Sequence, residues 1–207
     1  MSDTTTPRKP GLARRLYDWM LSWADTPYGT PALFCISFIE SSFFPLPPDI
    51  LQIALSAGKP KRSFFYAFVS LAGSVLGALL GYFIGFYCWE YGAHYFFVTY
   101  IPGFTEEGFE TVKGWYNANA FLWVWIGAFT IIPYKIFTIT AGVCKIPLWT
   151  LIVASIIGRG MRFFMVAALL WFYGPQIRTW IEKYFDKLAV LFVIALIGGF
   201  LLIKVLM

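Results

Sequence analysis

The tightest constraint on how this chain folds lies in residues 31–58. The stretch is apolar, yet it carries Glu40 and Asp49 and is broken by Pro45, Pro47 and Pro48. A straight lipid-facing helix does not hold two carboxylates and three prolines in its middle. The physical solution is a re-entrant hairpin, entering and leaving the bilayer on one side with its broken backbone shielded by protein. The bilayer itself follows from composition. Of 207 residues, 59% are hydrophobic and 13% charged, where a soluble domain runs at roughly half and a quarter. So little charge cannot cover a water-facing surface, and the apolar surface must meet lipid. Nine Trp and twelve Tyr suit the membrane–water interface. The length allows one membrane domain, 1–207.

Before the hairpin, residues 12–25 place Leu12, Leu16, Trp19, Met20 and Trp23 on one helical face, with Arg14, Arg15 and Asp18 elsewhere on the wheel. That is an amphipathic interfacial helix. After it, residues 64–89 form a full span with Gly73, Gly77, Gly81 and Gly85 at four-residue spacing. Such glycines make a smooth groove in which another helix backbone approaches closely. Residues 90–118 are polar, and Phe109, Val112, Trp115 and Tyr116 predict a second interfacial helix. Residues 119–144 are apolar but broken at Pro133, with Lys135 beside it. Residues 147–173 form another span, interrupted by Gly158-Arg159-Gly160-Met161-Arg162, and a polar linker leads to a last span at 188–206.

The two halves align by counting. With Ala57-Gly58 set on Ala141-Gly142, Pro48 lies nine residues before the pair and Pro133 eight. Gly73 lies fifteen residues after it and Gly158 sixteen. The spans end alike, at Trp89-Glu90-Tyr91-Gly92 and Trp171-Phe172-Tyr173-Gly174. The expected fold is an all-α integral membrane protein of two inverted repeats, each an interfacial helix, a re-entrant hairpin and a transmembrane helix, plus a C-terminal transmembrane helix. Residues 1–10 form a disordered tail, 11–92 repeat 1, 104–174 repeat 2 and 188–206 the last helix. The competing reading is that apolar helices simply resemble one another.

Arg8, Lys9, Arg14, Arg15, Lys59, Lys61, Arg62, Arg178, Lys183 and Lys187 fall on one side, and Glu90, Glu106, Glu107 and Glu110 on the other. This puts the N-terminus in the cytoplasm and the C-terminus outside, and no cleaved signal peptide is expected. The net charge of +5 reflects topology and not nucleic acid. Cys35, Cys88 and Cys144 are widely spaced in apolar runs and read as packing residues. His94 alone assembles no metal site; neither metal nor cofactor is expected.

Five ionisable groups, Glu40, Asp49, Lys135, Arg159 and Arg162, fall at hydrocarbon depth. Unpaired, each costs at least about 2.5–3.5 kcal/mol. Arg159 and Arg162, three apart, share a helix face. The functional reading is a polar cavity in which cations hold an anionic group and carboxylates exchange protons. The plainer one is a set of ion pairs locking two hairpins together. An enzyme is not expected, because GxSxG, HExxH and P-loop patterns are all missing from the sequence.

At Glu40-Ser-Ser-Phe-Phe-Pro45-Leu-Pro47-Pro48-Asp49 the chain resembles the DedA family, also called the SNARE-associated or VTT-domain family. The glycine series 73–85, Pro133-Tyr-Lys135…Ala141-Gly142 and Gly158-Arg159…Arg162-Phe163-Phe164 extend the resemblance over about residues 30–174. It implies a bacterial inner-membrane protein with two opposed re-entrant hairpins. It also implies membrane homeostasis that depends on proton-motive force, with members flipping lipid carriers such as undecaprenyl phosphate or scrambling phospholipids. Glu40 and Asp49 match the family's hairpin acids. Where many members have arginines on either side of the second-hairpin proline, this chain has Thr130 and Ile136, and offers Lys135. The expectation is a proton-coupled transporter or flippase of an anionic lipid headgroup, with lipids and protons as partners and a homo-oligomer allowed. The alternatives are an exporter of small cations or drugs and a non-transporting membrane-organising protein.

Overall fold

The computed structural model describes residues 26–42, 47–93, 106–130 and 133–174, together with Trp19, Ser22 and Trp23. Pro45, most of the 12–25 helix, His94, the tail 1–10 and the 188–206 span lie outside the described residues. Among the described residues the chain is helical without strands: α1 (Gly29–Ser42), α2 (Pro48–Gly58), α3 (Ser63–Cys88), α4 (Glu106–Phe129), α5 (Tyr134–Val143) and α6 (Leu148–Tyr173). Two stretches, Pro60–Gly92 and Leu148–Tyr173, are long and apolar enough to cross a membrane. At 26 residues each, α3 and α6 are about 39 Å long, against a hydrocarbon core of about 30 Å.

Prolines set where the short helices begin. Pro47 and Pro48 occupy the N-cap and first position of α2, and Pro133 the N-cap of α5. A missing N–H costs nothing there and the fixed φ suits helix entry. Within α4, Asn119 adopts an extended φ of −157° and its side-chain oxygen accepts the Leu122 N–H at 3.0 Å. It caps a second helical segment inside the element. The expected interruption of 147–173 is absent: α6 runs unbroken through Gly158-Arg159-Gly160, because its glycine faces are filled by neighbours.

The glycine groove of α3 takes two helices in succession. A Cβ at Gly73 would stand 2.5 Å from the Phe34 carbonyl oxygen and one at Gly77 would strike that of Phe38, both on α1. At Gly81 and Gly85 the obstacles are Thr138 and the Ile139 carbonyl, on α5. Four residues along α3 thus match four along α1, so the two run parallel. Helix α6 runs the other way along α3. Gly174 comes beside Pro60, Phe64 packs its ring 6.1 Å from Trp171, Gly160 faces Leu71, and Arg159 reaches Ser74. The second segment of α4 runs with α6, since Ala128 fills the space at Gly158 while the Thr130 carbonyl meets Arg162.

The first helix pair folds back on itself. Leu33 and Leu55 lie in one core cluster with Ile36, Leu51 and Tyr66; on a straight helix residues 33 and 55 would be about 33 Å apart. A second cluster, including Tyr82, Tyr116, Val124, Tyr134 and Leu151, fills the other end. Of the three cysteines, only Cys144 packs in a core. Cys35 and Cys88 are exposed, which corrects their reading as packing residues: their apolar runs have an outward face. That face also carries Phe68, Trp149, Met165 and Phe172.

Candidate functional site

Halfway along α3 and α6, between the two apolar clusters, the helices bring four of the predicted charges together as two pairs. Arg159 donates from Nη2 to Glu40 Oε2, joining α6 to α1. One turn on, Arg162 grips Asp49 with both arms of its fork, Nη2 to Oδ2 at 2.7 Å and Nε to Oδ1 at 3.3 Å. Such two-point geometry is the strong form of an arginine–carboxylate contact. The shared face of residues 159 and 162 explains why the two acids, nine residues apart in sequence, become neighbours.

The pairs differ in surroundings. The Arg159 and Glu40 side chains are 3% and 13% exposed, those of Arg162 and Asp49 24% and 17%. Arg159 is held by further contacts: Nε donates to Ser74 Oγ at 2.8 Å, and its guanidinium lies 5.2 Å from the Tyr134 ring centroid and 4.8 Å from that of Phe163. Ser41 and Ser74 share a hydrogen bond of 2.7 Å, and Ser41 Oγ donates to Glu40 at 3.0 Å. Arg162 also donates to the Thr130 carbonyl at 3.1 Å. Lys135 stands half-buried in the first turn of α5, next to Tyr134.

Sequence reasoning missed Ser41, Ser74, Tyr134 and Gln52. The Gln52 amide donates to the Phe163 carbonyl at 2.9 Å, tying α2 to α6 beside the Asp49 pair. The available signal was polar residues four apart inside apolar runs, as in Ser37/Ser41 and Ser70/Ser74. Of the predicted helix-packing residues, Gly73, Gly77, Gly81, Gly85 and Gly158 all abut neighbouring helices.

A second charged group lies at the far end of α3. Lys145 pairs with Glu90 and Lys113 with Glu110, the latter at 2.9 Å, around an open cleft lined also by Trp89 and Phe109. The Glu110 carboxylate holds the Lys113 ammonium above the ordinary lysine range. These pairs are exposed, so they are worth little individually.

The central arrangement holds two positive and two negative side chains in an apolar setting, with the Ser41 and Ser74 hydroxyls bonded into the Arg159–Glu40 pair. It can bind an anion when the carboxylates are neutralised, or hold the helices together when they are not. No protein-family model matches the chain, and no solved structure matches it. It is 35% identical over 190 residues to an uncharacterized HI0703 homolog of Histophilus somni, covering 91% of this chain and 97% of that one. It is 30% identical over 178 residues to an uncharacterized protein of Haemophilus influenzae, covering 81% and 85%. The chain therefore belongs to the family of these HI0703 homologues.

Proposed function

We propose that this chain is a multi-pass protein of the bacterial inner membrane, a divergent DedA-type member, that moves an anionic lipid headgroup across the bilayer in a proton-coupled cycle. The observation that carries the reading is the pair of arginine–carboxylate contacts buried midway along two helices long and apolar enough to span. Ionisable groups at that depth mark substrate and proton routes. Protonation of Asp49 or Glu40 removes the charge that engages Arg162 or Arg159, and the freed guanidinium then suits a phosphate-like group. Lys135, adjoining, supplies a third positive charge.

The arrangement is read as two inverted repeats. Helix α1 runs parallel to α3, the second segment of α4 runs parallel to α6, and α3 and α6 are antiparallel. Two halves of opposite orientation meeting at broken helices are the transporter pattern. Residues 31–58 and 119–144 then serve as the re-entrant hairpins, with the Lys59–Arg62 end cytoplasmic.

A second reading is favoured by the contacts of Arg159 with Glu40, Ser74 and two rings: the pairs are a structural lock in a membrane-organising protein. Translocation of a fluorescent anionic lipid by purified, reconstituted protein, with and without a pH gradient, separates the two. The expected result is gradient-accelerated translocation that is lost, per folded molecule, in Glu40→Gln. Wild-type translocation by Glu40→Gln, or none by the wild type, overturns the proposal.

A further inference from the structure

We infer that a hydrated polar path, open to the end of the bundle that carries Lys59, Lys61 and Arg62, leads to Asp49 and Glu40 and delivers protons to them; the delivery rests on the transport reading above, the path does not. Four fully buried residues mark it. Ser37 Oγ, Gln52 Oε1, Ser56 Oγ and Ser70 Oγ have no hydrogen-bond partner among the described residues.

Their placement follows from the helical repeat. Ser37 precedes Ser41 by four residues and Ser70 precedes Ser74 by four, so each lies on the face of the residue that touches the ionic layer. Parallel packing of α1 on α3, in the register that joins Ser41 to Ser74, brings Ser37 opposite Ser70. Ser37 Cβ would indeed lie 3.1 Å from a Cβ on Gly73. On α2, Gln52 is three residues past Asp49 and Ser56 four past Gln52, stepping toward Lys59. Read backwards on α1 and α3 and forwards on α2, all four descend from the layer to the same end.

On the opposite side of the layer the buried polar side chains are engaged. Tyr82 donates to the Ile146 carbonyl at 2.8 Å, Tyr116 to that of Phe137 at 3.2 Å, and Thr138 to that of Lys135 at 3.0 Å. Among the described residues, the one further buried polar side-chain atom without a partner is Thr130 Oγ1, at the layer itself. The asymmetry is what gives the path a direction.

A buried oxygen without a partner is costly, and water is the usual remedy. A serine hydroxyl has a local alternative, turning back to its own helix as Ser42 does to the Phe38 carbonyl at 2.6 Å. The Gln52 carbonyl oxygen accepts only, so it cannot turn a proton of its own toward a helix carbonyl, and no donor among the described residues reaches it. Water there, continued by Ser56 on one branch and Ser70 and Ser37 on the other, makes a row of oxygens that each donate and accept. A proton entering from a hydronium ion passes along the row, each oxygen gaining one and releasing one. A carboxylate takes it up as COOH, leaving water behind. Arg159 on α6 and Ser41 on α1 bond Glu40, and Arg162 on α6 bonds Asp49; Tyr134 on α5, followed in sequence by Lys135, and Ser74 on α3 contact Arg159, and the Thr130 carbonyl after α4 contacts Arg162.

The path is tested in the full chain with the three native cysteines replaced. Ser56→Cys and Ser70→Cys, close to serine in size, are exposed in oriented vesicles to a small charged methanethiosulfonate. Both should react from the Lys59–Arg62 side alone, at least about tenfold faster than Ala78→Cys and Ala128→Cys, because a dry buried thiol stays protonated and inert. Rates equal to those two controls overturn the path whether or not the protein transports anything. For delivery, Gln52→Met, or Ser70→Ala where the first fails to fold, should slow gradient-driven lipid translocation by about tenfold, the effect of one lost relay hydrogen bond. Unchanged gradient-driven rates in folded protein overturn delivery. A wild type that translocates nothing sinks the transport reading and delivery together, while the labelling result stands.

Discussion

Glu40 and Arg159 are bound more tightly to one another's presence than Asp49 and Arg162 are. Replacing Glu40 by Gln leaves a guanidinium in a setting where its own side chain is 3% exposed, facing serine hydroxyls and two rings without a countercharge. Stranding one member of a buried pair costs roughly 3–5 kcal/mol, so Glu40→Gln and Arg159→Gln should each lower the thermal unfolding temperature in detergent. The double variant should regain most of the loss. Asp49→Asn should cost less, because Arg162 is 24% exposed and keeps the Thr130 carbonyl. If the transport reading holds, none of these variants recovers translocation, the stable double variant included. A double variant no more stable than the singles would show that the pair is not energetically coupled. The acids and arginines were legible in the sequence, since charge in an apolar run has few meanings. Their pairing was not, because two acids and two arginines allow either assignment until the register of α1 and α2 against α6 is known. Ser41, Ser74 and Gln52 carried no comparable signal: a hydroxyl or amide is cheap enough in an apolar run to pass unnoticed.

Helix by helix, the glycines divide into those that hold a neighbour and those that do not. Gly85→Ala drives a methyl into the Ile139 backbone and Gly77→Ala into that of Phe38. Backbone cannot rotate aside, so each should destabilise by about 1–3 kcal/mol. Gly114 in α4 has nothing within 4 Å of an added Cβ, and Gly114→Ala should stabilise by roughly 0.5–1 kcal/mol through helix propensity alone. The spacing at 73–85 made the groove readable, but not that α1 and α5 divide it between them, which depends on how short each hairpin arm is. The supposed interruption at 158–162 misjudged a local cost of about 1 kcal/mol per glycine that close packing of Ala128 against Gly158 outweighs. The turn after α5 gives a sharper test. The Ile146 N–H bonds the Ala141 carbonyl at 3.2 Å and the Lys145 N–H that of Gly142 at 3.0 Å, the pattern of a Schellman cap. Lys145 accordingly has φ of 54°, where glycine is favoured. Lys145→Gly removes roughly 1 kcal/mol of strain and loses an exposed pair worth about 0.2–1 kcal/mol. Lys145→Ala loses the pair and keeps the strain. Thermal unfolding should rank Lys145→Gly above Lys145→Ala, and the reverse order would remove the strain argument.

At the scale of the whole molecule, charge and direction point to the same topology by separate routes. Lys59, Lys61 and Arg62 stand at the beginning of α3, while Glu90, Glu106, Glu107 and Glu110 follow its end. In the proposed membrane setting basic loops stay cytoplasmic, which is the orientation expected from sequence. Direction comes from packing: α1 and α3 run parallel and so begin at one end, and Gly174 at the end of α6 returns beside Pro60. Residues 30, 59 and 173 should therefore share the cytoplasmic face, and residues 107 and 145 the other. A straight span over 31–58 makes a different forecast, separating 30 from 59. Single cysteines at Thr30, Lys59, Glu107, Lys145 and Tyr173, in a chain without its native three, can be labelled by an impermeant maleimide in intact cells and in inverted vesicles. Expected is protection of 30, 59 and 173 in intact cells with ready labelling of 107 and 145, and the opposite in inverted vesicles. Uniform reversal would leave the hairpins standing and overturn only the charge rule's assignment of sides. Positions 30 and 59 on opposite faces would be graver, because the fold-back of α1 and α2, the inverted halves and the meeting of Glu40 with Arg159 all depend on their sharing one.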